Sequence, residues 1–179
     1  MSVFTNPASS AEGHAQAYVA AVLDLLGDQD PMAVLRQTSA ALQRTLAEMS
    51  AAQIVRPEAP GKWSIGEVML HLADSELVWG YRLRMVLAHE RPSLTGYDQD
   101  LWADRLRYRE ADPQQAVVRF SVLRRANLHL LEQASKSDLR RVGIHAERGE
   151  QDVEGMIRLC AGHDLVHLRQ LERIRGSFA

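Results

Sequence analysis

Apolar residues return along most of this chain every three or four positions, the spacing of an amphipathic helix, and almost nowhere in strict alternation. A first helix fits residues 11–26, with Tyr18, Ala21, Val22 and Leu25 on one side and Gly27 at its end. Asp30 and Pro31 then supply an N-cap carboxylate and a first helical residue that needs no amide partner. The helix they open runs over residues 32–50, with an inward stripe of Leu35, Thr38, Leu42, Thr45, Leu46 and Met49. Residues 56–63 hold two prolines and a glycine, cannot stay helical, and read as a crossing loop. Ser64-Ile65-Gly66-Glu67 has the form of a capping box and opens a long helix that Pro92 stops near Glu90. Asp112 and Pro113 repeat the first device and start a helix over residues 113–134. A last helix covers residues 151–175.

Strand signals are nearly absent. Residues 91–111 read as a long loop with a helical turn near 101–106, and residues 137–150, with Gly143, His145 and Gly149, as another loop. Four long helices with connections of very unequal length predict an all-α fold, a four-helix bundle with a short extra N-terminal helix. Residues 1–10 read as a loose N-terminus and residues 11–179 as a single domain, a length that supports a core without disulfides.

Composition narrows the classes of function. With 46% hydrophobic and 25% charged residues the balance is that of an ordinary globular protein. The formal net charge of -2 leaves no basic surplus to neutralise a phosphate backbone, so duplex nucleic acid is not an expected partner. Arg82, Arg84, Arg105, Arg107 and Arg109 cluster locally and read as solvated helix faces and loops. No run approaches the ~18 apolar residues of a membrane span, and no secretory signal pattern opens the chain. One cysteine, Cys160, forms no intrachain disulfide. These features predict a cytoplasmic protein with no membrane partner.

The chemistry concentrates in Gly162-His163-Asp164-Leu165-Val166-His167-Leu168-Arg169-Gln170. His163 and His167, four apart, share a helix face. That face is the apolar stripe of Val153, Met156, Ile157, Cys160, Leu171 and Ile174, so both imidazoles point into the bundle. An inward pair needs partners, either hydrogen-bonding neighbours or a divalent metal such as zinc, nickel, copper or iron. His71, at the edge of the stripe of Val68, Leu72, Ser75, Trp79 and Val86, is the third candidate ligand. Three histidines with a fourth position open match catalytic rather than structural zinc, and such a site lowers the pKa of a water there to about 7.

The His-Asp-x-x-His spacing departs from the zinc-protease pattern, whose acid is a glutamate, and no further acidic ligand motif follows. Asp164 lies on the apolar face, where it either orients a ligand imidazole or takes part in a buried ion pair. Gln170 and Glu67 are within reach of the site, with surface and capping roles the favoured reading. His145, in a glycine-containing loop just before the last helix, is a candidate for the pocket mouth. Cys160 reads as a small buried hydrophobe, and Trp63 and Trp79 as core-closing side chains.

Taken together, Gly61-Lys62-Trp63-Ser64, His71-Leu72-Ala73-Asp74-Ser75-Glu76 and His163 through Gln170 resemble the DinB/YfiT-like superfamily of metalloenzymes over residues 15–175. The resemblance implies a four-helix bundle, often a homodimer, with one divalent ion held by His71, His163 and His167. It also implies a reaction class. Characterised relatives include thiol S-transferases that use low-molecular-weight thiols, while many members have no assigned reaction. The expectation is a metal-dependent enzyme acting on a small molecule, with zinc or nickel activating a thiolate or a water. The alternatives are a metal-dependent hydrolase, or a non-catalytic metal-binding stress protein.

Overall fold

The computed structural model describes residues 12–178. The loose N-terminus expected at residues 1–10 lies outside the described residues. The helices are α1 (Glu12–Leu26), α2 (Pro31–Glu48), α3 (Ala51–Val55), α4 (Ile65–Ala88), α5 (Gln99–Arg105), α6 (Pro113–Glu132) and α7 (Val153–Gly176). Three short strands, β1 (Ser93–Leu94), β2 (Val142–His145) and β3 (Gly149–Asp152), complete the fold.

Each long helix starts where local chemistry lets it. Asp30 accepts from the Met32 amide and Asp112 from the Gln114 amide, with Pro31 and Pro113 as the first helical residues. At α4 the Ser64 hydroxyl accepts from the Glu67 amide at 3.2 Å, and the Glu67 carboxylate accepts from the Ser64 amide at 2.8 Å. The Asp152 carboxylate accepts from the Gly155 amide at 2.7 Å and so caps α7.

Four of these helices close a ring in which α4 packs on α6, α6 on α2, α2 on α7, and α7 on α4. This is the four-helix bundle that the spacing predicts. The extra helix α1 lies outside the ring against α7. Its docking depends on Gly162, because a Cβ there would fall 2.5 Å from both the Val22 carbonyl oxygen and the Val22 Cγ1. The α1 backbone therefore sits hard against α7 one residue before His163.

Two parts of the chain depart from expectation. Residues 137–150 are not a plain loop: β2 and β3 form an antiparallel hairpin, and β1 joins β2 in parallel, giving a sheet of order β1-β2-β3. Strands of two to four residues show too little alternation to be read. The sheet is held against α4 by a close approach at Gly143, where a Cβ would meet Val86 at 2.7 Å and Leu94 at 2.8 Å. The second helix also ends at Glu48 rather than Ser50. Ser50 instead caps the separate α3 in a capping box with Gln53. Among the described residues, no helix is long and apolar enough to cross a membrane.

Candidate metal centre

His71 projects from α4, and His163 and His167 from the facing turns of α7. All three are buried, with exposures of 1%, 9% and 6%. His71 Nε2 stands 3.2 Å from His163 Nε2, and one ring nitrogen from each histidine falls within 4.8 Å of the others. The ring centroids of His71 and His167 are 4.6 Å apart, and those of His163 and His167 4.5 Å. The two helices thus bring together the three histidines that the sequence singles out.

Burial keeps these rings neutral. It is the main cause that drives His71 and His163 well below the ordinary histidine value, with neighbouring imidazoles acting in the same direction. Burial also lowers His167 to about 4, against the opposing effect of its bond to Gln170. His167 Nδ1 lies 2.8 Å from the Gln170 amide oxygen, which can only accept, so Nδ1 carries the proton and Nε2 keeps a free lone pair. His71 Nδ1 is buried with no hydrogen-bond partner.

Neutral imidazoles converging in this way meet the needs of a divalent cation. Bonds of about 2.1 Å in a tetrahedral arrangement place ligand nitrogens about 3.4 Å apart, close to the 3.2 Å between His71 and His163. Among the described residues, no cysteine or carboxylate completes the cluster.

The neighbours divide differently from the sequence reading. Asp164 is buried, and its carboxylate accepts from Arg124 Nη1 at 2.6 Å, Arg124 Nη2 at 3.1 Å and the Thr38 hydroxyl at 2.6 Å. It is the partner of a buried guanidinium rather than of an imidazole. Gln170, read as a surface residue, is the side chain that orients His167. Glu67 caps α4, as read, and also accepts from Arg109 at 3.1 Å. Cys160 is buried as expected, and burial raises its thiol well above the ordinary range. Ser75 lies 3.4 Å from His71 Nε2 and 2.8 Å from the Tyr97 hydroxyl.

Two hollows meet at the cluster, both lined by His167 and Gln99. The smaller, about 80 Å³, also presents His163, Tyr97, Trp79 and His145, so His145 does line a pocket beside the cluster. The larger, about 540 Å³, is walled by Trp63, Gln170 and the residues around α5. Trp63 is half-buried, with its ring 5.1 Å from that of His71. It faces this hollow rather than simply closing the core.

Several known proteins are similar to this chain. "Putative metal-dependent hydrolase YfiT" of Bacillus subtilis is 25% identical over 147 residues, covering 80% of this chain and 83% of that protein. Proteins named in the same way from Bacillus licheniformis (27% over 117 residues, 65% of this chain and 66% of that one) and Oceanobacillus iheyensis (26% over 130 residues, 73% and 75%) are also similar. The solved structure of YfiT, described as "a probable metal-dependent hydrolase with an unusual four-helix bundle topology", superposes with a TM-score of 0.72 at 21% identity. It covers 97% of this chain and 94% of that one, a likeness of fold. The DinB superfamily profile matches residues 34–171, and this chain belongs to that superfamily.

Proposed function

We propose that this chain is a metal-dependent hydrolase whose His71, His163 and His167 hold one divalent ion, zinc or nickel. The observation that carries this is the convergence of three buried, neutral imidazoles within 4.8 Å at the meeting point of two hollows. The names of the relatives support the same reading. When bound, such an ion makes a water or thiol at its open position more acidic and polarises a carbonyl or phosphoryl oxygen.

The chain's own residues do the rest. Gln170 fixes the tautomer of His167. The Tyr97 and Ser75 hydroxyls, linked at 2.8 Å beside His71, offer hydrogen bonds to a substrate oxygen. Burial raises the Tyr97 phenol, so it stays protonated and able to donate. Arg124 and Asp164 hold α6 to α7 beneath the site.

The wide hollow also admits a low-molecular-weight thiol as a co-substrate, giving transfer of a thiolate to an electrophile in place of hydrolysis. The thiol would have to come from outside, because Cys160 is buried and held protonated. The deciding test is metal analysis of purified protein, then a screen of small esters, amides and phosphate esters, with and without chelator and with and without added thiol. We expect about one ion per chain and chelator-sensitive hydrolysis. Loss of both ion and activity is expected in His163→Ala and His167→Ala. Full metal content in both variants after dialysis would sink the ligand assignment. Turnover that requires added thiol and yields a thioester, with release of the alcohol or amine, would move the reaction to S-transfer.

A further inference from the structure

The smaller hollow holds more positive charge than the chemistry above uses. Arg82, read from sequence as part of a solvated cluster, is only 5% exposed and lines this hollow from α4. Arg148, half-buried in the turn between β2 and β3, lines it from the hairpin. Each guanidinium lies 5.8 Å from the Trp79 ring centroid, so one indole holds both cations.

Their hydrogen-bonding capacity is largely unspent. Arg82 Nε and Arg148 Nε and Nη2 are buried without partners, although the Arg82 Nη2 does donate to the Thr95 carbonyl. His145 adds a third donor. Its Nδ1 accepts from the Glu147 amide at 3.2 Å, which puts the proton on Nε2, and Nε2 is also buried without a partner. Glu147 is the one carboxylate on this wall among the described residues; its charge acts on both guanidinium groups from beyond ion-pair distance.

Two largely desolvated cations against one indole, near enough to act on each other and with Glu147 as the one carboxylate of the wall, favour further negative charge between them. Burial, and then Arg148, pulls Arg82 down to about 10, and burial lowers Arg148 as well.

We propose that this hollow is a subsite for a compact oxyanion, a carboxylate or phosphate group of the substrate, bound by Arg82 and Arg148 with His145 Nε2 as a further donor. Its volume of about 80 Å³ suits such a group. Because His163 and His167 share this wall, and His167 and Gln99 also face the larger hollow, an anion held here leaves the rest of the molecule to pass the imidazoles. The substrate is then an anionic small molecule whose reacting bond lies a few atoms from its charge. That last step rests on the metal-site reading; anion binding itself does not.

The test uses propionate and methylphosphonate as probes, with propionamide as the uncharged control. Calorimetry is run on full-length protein both loaded with zinc and stripped by chelator. At least one oxyanion should bind the stripped protein while propionamide does not, and the stronger of the two identifies the group the subsite prefers. Arg148→Gln and Arg82→Lys should each weaken binding roughly tenfold or more, the loss expected for a charged hydrogen-bond donor. Arg36→Gln, an exposed arginine paired with Glu132, should have no effect. Arg148→Gln decides the matter alone if Arg82→Lys does not fold. Unchanged affinity in Arg148→Gln would overturn the proposal, as would binding that needs zinc and disappears in His163→Ala. If the protein retains no metal yet still binds the oxyanion through Arg148, the subsite stands and the proposed function fails.

Discussion

Arg124 and Asp164 meet across the bundle in two hydrogen bonds, Nη1 to Oδ2 at 2.6 Å and Nη2 to Oδ1 at 3.1 Å. The same guanidinium donates to Glu76 at 2.8 Å and to the Leu35 carbonyl at 2.9 Å, while Thr38 donates to Asp164 at 2.6 Å. One buried cation therefore ties α2, α4, α6 and α7 together. Burial works against its charge, but Asp164 and Glu76 outweigh burial and raise its pKa, so it stays charged.

This fixes what Asp164 does. Removing Asp164 leaves Glu76 to balance Arg124 but strands the Thr38 hydroxyl and two guanidinium N–H groups, at about 1–3 kcal/mol for each buried group left without an acceptor. Asp164→Ala should therefore lose stability on that scale in urea unfolding, while its folded fraction keeps its metal. Metal loss at unchanged stability would show instead that Asp164 acts on an imidazole.

Gln170 should behave in the opposite way. Its amide oxygen holds the proton on His167 Nδ1 and is close to solvent on one side, so little packing depends on it. Losing a partner that orients a metal-binding histidine typically lowers affinity by about 10–100-fold. Gln170→Leu should weaken zinc binding by about that range in competition with a chromogenic chelator, with a melting temperature of the metal-free protein close to wild type. Wild-type affinity would mean that His167 needs no such support.

Much of this architecture is legible because its signals are local. Asp30 with Pro31, Asp112 with Pro113, and Ser64 with Glu67 are complete capping devices within a few residues. The inward direction of His163 and His167 follows from helical spacing alone. The α3 cap, Ser50 with Gln53, uses the same grammar as Ser64 with Glu67, but apolar spacing running through it disguises the break between helices. Arg82 was also readable: it lies three residues after Trp79 and four before Val86, on the buried face of α4. The hairpin was not, since it depends on Gly143 packing against Val86 and Leu94 far away in sequence. That hairpin carries Arg148 and His145 to the site, so the cationic hollow has no local signature.

Metal removal separates a catalytic ion from a structural one. The apolar core surrounds the imidazoles on both sides, with Leu26, Met156 and Val86 in one part and Phe120, Ile65 and Leu171 in the other. A core of this extent supports folding without an ion, whereas zinc fingers unfold when metal leaves. The chelated protein should keep its helical circular dichroism at 25 °C, melt earlier because a ligand of the folded state is gone, and recover when zinc is restored. Loss of most helical signal on chelation would assign the ion a structural role.

The buried imidazoles also set a pH dependence whose direction is fixed. Burial first, then neighbouring cationic groups, lowers His145 to about 3, and burial lowers His167 to about 4 and takes His71 and His163 well below the ordinary value. In the unfolded chain these side chains titrate near about 6.5. Below that pH the unfolded state takes up protons that the metal-free folded state refuses. The stability these groups contribute is therefore whole above about 6.5, and it is lost as pH falls through the folded values. Each such imidazole removes up to about 1.4 kcal/mol per pH unit in that window. The metal-free protein should hold a level melting temperature from about pH 8 to 7 and lose it steadily between about 6.5 and 5, above the range of ordinary carboxylates. His145→Gln should flatten part of that slope. The metal-loaded protein should follow a similar slope from a higher level, because the folded imidazoles, bound or free, take up few protons until pH nears 4. A melting temperature constant from about pH 8 to 5 in the metal-free protein would show that the imidazoles are not buried in their neutral form.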